Sequence, residues 1–218
     1  MKAIFLAILV PDPENSSPLN FLPTLAFLFA LTWTQDVQQD CDLRKSAEGI
    51  EVYTCKTTDS KINSIRSNFS LNLPFSELSK ALLDWPNFNQ WQYKIRKTEL
   101  LKTISKVELI YRAELIAPWP VSNRDLILHV KLSPGPNPNE YQFTIIGKPD
   151  FIPPREGFVR VPVSDGSWQI KVVGPERIDI QYSLMVDPGG AIPAWLLNLS
   201  LAEGPFETFK GLREYLED

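Results

Sequence analysis

The stretch Asp187-Pro-Gly-Gly-Ala-Ile-Pro-Ala-Trp-Leu-Leu-Asn, running on to Asp218, narrows the choice of fold more than any other part of the chain. Pro188-Gly189-Gly190 ends a β-like run. Pro193 then stands at a helix start, where its fixed φ suits the first turn and its missing N–H is not needed. Around and beyond it Ile192, Trp195, Leu196, Leu199, Ala202, Phe206, Phe209, Leu212 and Leu216 recur at helical spacing. Asn198, Glu203, Glu207, Arg213, Glu214 and Glu217 take the opposite side. A helix over 193–216 would be roughly 35 Å long at 1.5 Å per residue, with Gly204-Pro205 kinking or interrupting it. So apolar a helix needs a broad apolar surface beneath it, and only a large sheet supplies one. The stretch reads as a lid or clasp.

The remainder predicts that sheet. Gly49–Cys55 alternates as a strand, and Lys61–Leu73 is a weaker one. Phe75, Leu78, Leu82 and Trp85 fall at helical steps, so a short helix is expected over 74–85, stopped by Pro86. A strand over Trp91–Leu101 would carry Trp91, Tyr93 and Ile95 on one face. The cleanest period of two follows: Val107, Leu109, Tyr111, Ala113 and Leu115 inward, Glu108, Ile110, Arg112 and Glu114 outward. The prolines of Ala117-Pro-Trp-Pro-Val-Ser-Asn-Arg-Asp125 make that segment a bend. Leu126, Leu128, Val130 and Leu132 then face in, with His129 and Lys131 outward. Tyr141, Phe143 and Ile145 line the next strand, and a proline-rich loop covers 149–157. Asp165-Gly166 is expected as a hairpin before Trp168, Ile170 and Val172. Ile178, Ile180, Tyr182, Leu184 and Val186 complete the last strand. Short turns make the sheet antiparallel, and eight or nine strands would curl strongly. The fold class is α+β: a curved antiparallel sheet wrapped around a long C-terminal helix.

Ahead of it lies a leader, residues 1–36. The uncharged run from Leu19 to Trp33 is short for a spanning helix and suits the apolar region of a signal peptide. The expectation is export to a periplasmic or secreted location if the leader is cleaved, and membrane anchoring otherwise; the domain itself runs over 37–218. In an exported chain Cys41 and Cys55 read as a disulfide, worth about 3 kcal/mol for so short a loop; the alternative is two separate thiols. A net charge of −4 gives no basic face for nucleic acid. One histidine and two cysteines leave little for a metal site, and no cofactor is expected.

Three stretches resemble one family. Ala117-Pro-Trp-Pro-Val-Ser-Asn-Arg-Asp125, Val159-Arg160 through Gly166-Ser-Trp168, and Asp187–Asn198 with Gly204-Pro-Phe206 are similar in order and spacing to START domains, the lipid-transfer modules related to steroidogenic acute regulatory protein. The resemblance covers the chain from about Cys41 to its end. It implies a helix-grip fold whose sheet and last helix enclose a tunnel for one lipid-like ligand, with the helix and nearby loops opening for loading. It also implies a monomer that touches membrane surfaces transiently.

On that resemblance Arg124 would sit near the tunnel and meet a polar ligand group; the alternative is an arginine structuring the bend through backbone carbonyls. Some sterol-type members carry a buried acid and base where this chain has Tyr111 and Val130, so Tyr111 would instead offer a hydroxyl inside an apolar chamber. Tyr93, Trp119, Trp168, Trp195 and Leu199 are candidate ligand walls, set against the plainer reading of aromatic residues as core. Gly189, Gly190 and Pro193 are the candidate hinge. His129 is expected to be solvated and without partners. The function expected is non-enzymatic binding or transfer of a lipid or sterol-like molecule. The alternatives are a helix-grip enzyme, a cyclase or hydrolase using an acid beside Arg124, and a ligand-free sensor or interaction module.

Overall fold

A computed structural model of the chain describes residues 40–58, 60–192, 197–198 and 201–217. The leader and the candidates Pro193, Trp195 and Leu199 lie outside the described residues. Ten strands are described: β1 (Cys41–Ala47), β2 (Ile50–Cys55), β3 (Ser64–Leu71), β4 (Ile95–Ser105), β5 (Glu108–Leu115), β6 (Arg124–Pro134), β7 (Glu140–Gly147), β8 (Val159–Arg160), β9 (Val163–Gly174) and β10 (Arg177–Asp187). They form one sheet in the order β1-β2-β3-β10-β9-β7-β6-β5-β4, antiparallel throughout, with β8 pairing parallel to β6 off that path.

Helices α1 (Phe75–Leu83), α2 (Phe88–Trp91) and α3 (Glu203–Glu217) pack on one face. Phe206, Phe209 and Leu212 of α3 join the same buried cluster as Ile50, Phe69, Trp168 and Ile180 from the strands. This is the helix-grip α+β fold. Alternation works as expected in β5 and β6, placing Leu109, Tyr111, Ala113, Leu128, Val130 and Leu132 in the core. The 15 residues of α3 span about 22 Å. Gly204-Pro205, expected to break a longer helix, lies in its first turn, where proline is tolerated. At Gly211 a Cβ would stand 2.7 Å from the carbonyl oxygen of Trp91, so α3 meets the end of α2 at a distance only glycine permits.

Local geometry overturns several expectations. The strand expected over Trp91–Leu101 starts at Ile95, because 88–91 make a helical turn and Lys94 adopts a φ of 59°. That turn buries Trp91 and leaves Tyr93 at the surface. Asp165-Gly166 lies inside β9, opposite Met185 and Leu184, and is no hairpin. Glycine is required there because a Cβ would meet the Ser183 carbonyl oxygen at 2.8 Å, so it marks close strand approach. Cys41, read as preceding the first strand, belongs to an edge strand, β1; it faces Cys55 in register and the two sulfurs are bonded.

The outer face of β5 also departs from simple alternation. Ile110, Arg112 and Glu114 were expected outward, yet all three are buried, Arg112 against the ring of Phe158 and Glu114 against Arg155 of the 149–157 loop. Fully buried Asp125 accepts a hydrogen bond from Arg160 at 2.8 Å and lies 3.3 Å from Arg112 Nε, without hydrogen-bond alignment. Arg160 also donates to the carbonyls of Pro149, Ile152 and Pro153, drawing the loop inward. Glu114 takes Arg96 at 2.6 Å and Arg155 at 2.9 Å. The Arg96 hydrogen bond, opposed by burial, holds its carboxyl below the usual range. His129 is not partnerless: its Nε2 lies 2.8 Å from Glu108 Oε1, and Lys131 reaches the same carboxylate at 3.3 Å.

Candidate functional site

Between α2, α3 and strands β5, β6, β7, β9 and β10 lies a cavity of about 510 Å³. Its walls are mostly apolar, with Phe88, Trp91, Leu128, Phe143, Trp168 and Phe209 among them. Phe209 links lid to sheet: its ring stacks on Phe69 with centroids 4.4 Å apart and meets Trp168 and Tyr182 edge-on at 5.4 and 5.1 Å. The indole N–H of Trp168 is buried without a hydrogen-bond acceptor, and its ring meets Phe69, Tyr182 and Phe209 edge-on.

Two phenols, with the hydroxyl of Ser164 beside them in the lining, supply buried hydroxyls to this chamber. Tyr111 from β5 and Tyr182 from β10 are both buried and both line it. Burial pushes the Tyr111 hydroxyl upward in pKa, opposed by a hydrogen bond with the Gln92 side chain. Burial likewise raises Tyr182, and the neighbouring Tyr111 adds to the effect. Both are therefore protonated at neutral pH, each able to donate and accept. The charged lining residues among those described are Lys94 and Glu203. Lys94 is exposed, and Glu203, with its side chain 53% exposed, bonds Lys45 at 3.0 Å. Charge is thus confined to the rim.

The sequence candidates divide. Tyr111, Trp168 and Tyr93 line the cavity, Tyr93 at its exposed edge. Trp119 does not: it is 92% exposed, next to Pro118, which does line the cavity. A wall residue needs neighbours on both sides of its ring, and the proline-bounded bend holds Trp119 out in solvent. Arg124 is buried and donates to the backbone carbonyls of Ser122, Pro188 and Gly189, the last two at 3.4 and 3.3 Å. Burial depresses its pKa. Gly189 and Gly190 take φ of 67° and 75°, and a Cβ on Gly189 would meet Pro162 at 3.1 Å and the Arg160 carbonyl at 3.2 Å. Arg124 therefore ties β6 to the segment that leads towards α3.

Tyr182, Gln92 and Phe209 are lining residues that sequence reasoning did not select. Tyr182 has inward parity and Phe209 helical phase, which would have nominated both; their convergence with Trp168 needed the β9–β10 register. A second groove, of about 640 Å³, crosses the other face of the sheet. Its row Glu51, Asn68, Gln181 and Gln169 is in register across four strands. It is polar and open, a solvated sheet face. Among the described residues no group of three or more His, Cys, Asp or Glu is placed to hold a metal ion, and no helix is long and apolar enough to cross a membrane.

No protein-family model matches the chain. An uncharacterised protein of Pseudomonas aeruginosa is 27% identical over 186 residues, covering 82% of this chain and 88% of its own length. Among solved structures, human STARD10 is similar at 23% identity, over 81% of this chain and 73% of that one, with a TM-score of 0.71; this shows the shared fold. A STAR-related lipid transfer protein from Xanthomonas axonopodis is 34% identical, covers 82% of this chain and 99% of its own, and superposes with a TM-score of 0.75. At that identity, over nearly the whole of the relative, the chain belongs to the STAR-related lipid transfer (START) family.

Proposed function

We propose that the protein binds one lipid or sterol-like molecule in the chamber beneath α3 and transfers it between membranes without chemical change. The observation that carries this reading is the apolar cavity of about 510 Å³ roofed by the last helix, a size common among small-molecule sites. The Xanthomonas relative, described as a lipid transfer protein, supports it. The driving force is removal of apolar ligand surface from water, about 0.8 kcal/mol for each methylene buried. The enzyme alternative relied on an acid beside Arg124; the engagement of Arg124 with three backbone carbonyls favours a structural role for it. The apolar leader and the Cys41–Cys55 bond support an exported location. Native mass spectrometry after mild purification tests the reading. A mass increment that disappears on organic extraction is expected; a chamber that neither retains nor takes up any lipid would refute it.

Loading from a membrane would use the rim. Trp119 projects beside cavity-lining Pro118, and tryptophan partitions favourably to the membrane–water interface. Trp119→Ala is expected to leave thermal stability nearly unchanged, within about 0.5 kcal/mol, since the side chain is almost wholly exposed. Vesicle-to-vesicle transfer of a fluorescent lipid should slow severalfold. Equal transfer rates in the two proteins would remove Trp119 from the loading route.

A further inference from the structure

The described chamber lining holds the buried hydroxyls of Tyr111, Tyr182 and Ser164 and no buried charge. Tyr111 and Tyr182 approach from opposite parts of the sheet, their rings fixed by aromatic neighbours: Phe88 lies 5.2 Å from Tyr111 and Trp168 lies 5.4 Å from Tyr182. Gln92 is the further amide on the same wall. An ionic group carried to this depth would lose its hydration and find no described counter-charge, because Lys94 and Glu203 stand at the rim. An uncharged hydroxyl or carbonyl meets two phenols, each able to donate or accept. A purely hydrocarbon end would leave those phenols without a ligand partner.

We propose that the buried wall of the chamber carries a selectivity site in which the hydroxyls of Tyr111 and Tyr182 hold an uncharged oxygen function of the ligand, a hydroxyl or a carbonyl, and reject an ionic group. The proposal rests on the chamber being the ligand site. It assigns ligand class to the buried end of the molecule; a charged group is accommodated only at the rim.

The test compares dodecane, 1-dodecanol and dodecane-1,12-bis(trimethylammonium), which must place a charge at both ends, each delivered from cyclodextrin to the full chain. Binding is read from tryptophan fluorescence, for which Trp168 against Tyr182 is the local reporter. Dodecanol is expected to bind about tenfold more tightly than dodecane, the usual worth of one or two added hydrogen bonds, and the bis-ammonium compound not detectably. In the Tyr111→Phe/Tyr182→Phe variant, which keeps both rings, the dodecanol advantage should vanish while dodecane affinity is retained. Should the double variant not fold, each single Tyr→Phe change is expected to remove about threefold of that advantage. Equal binding of dodecane and dodecanol, detectable bis-ammonium binding, or an advantage that survives removal of both hydroxyls would overturn the selectivity site and leave the chamber reading intact. Failure of all three probes to bind would overturn both.

Discussion

Asp125→Ala is expected to lower folding stability by about 3–5 kcal/mol, the cost of leaving buried charges unpaired. Asp125 is fully buried and stands between two arginines whose side chains are largely covered, Arg160 at 2.8 Å and Arg112 at 3.3 Å. Arg112 has no hydrogen-bond partner for its Nε or one terminal nitrogen; the charges of Asp125 and of Glu114, 3.8 Å away, and the ring of Phe158, 5.4 Å away, hold it in place. Without the carboxylate, Arg160 loses its ion pair and Arg112 keeps only the longer contact with Glu114. Arg160 also organises the loop through three carbonyls, so the damage should be local as well as global. The expected signs are a lower urea midpoint and faster proteolytic cleavage within 149–157. Replacing the ion pair by apolar residues, as in Asp125→Leu with Arg112→Met, should restore part of the loss. A change below about 1 kcal/mol in the single variant would mean that the backbone carbonyls suffice for Arg160 and Glu114 for Arg112.

Phe209→Ala has the second large effect, about 3–5 kcal/mol as for other buried aromatic truncations. Phe209 is 1% exposed and touches rings from three strands at once: Phe69 of β3, Trp168 of β9 and Tyr182 of β10. Removing it opens a void where the helix is seated and lengthens the chamber it lines. The melting temperature should fall, and the fluorescence of Trp168 should shift as its edge-on neighbour disappears. Ligands bulkier than those the parent protein accepts should recover part of the stability by filling the gap. Stability within about 1 kcal/mol of the parent would show that Leu212 and Phe206 anchor α3 without it.

Much of the sheet was legible because a period of two needs only one buried face, and β5, β6, β7 and β10 each present one. The inward parity of Tyr111 and Trp168 came from the same rule. What failed did so where a second layer or a local reversal intervened. Arg112 and Glu114 obey the alternation but not its usual consequence, since Phe158 and Arg155 cover them. Trp91 was placed in a strand because nothing before Ile95 announces the left-handed Lys94. Gly166 looked like a turn, yet its glycine answers a neighbouring backbone rather than a reversal. His129 and Glu108 meet diagonally across β5 and β6, which requires the pairing register and not the strands alone. Arg124 fitted two readings from sequence; the carbonyls that decide between them lie more than sixty residues further along the chain.

The approach of Gly211 to the Trp91 carbonyl bears on how α3 can move. Rolling or sliding the helix at that point would drive backbone into backbone, so any displacement that keeps the contact must tilt about it. Glu203 lies eight residues away, about 12 Å along the axis. A tilt of some 20° would carry that tip roughly 4 Å outward while the segment beyond Gly211 stayed close to its seat. The helix would then act as a lever whose fulcrum is a missing side chain, and a doorway made this way opens at one end only.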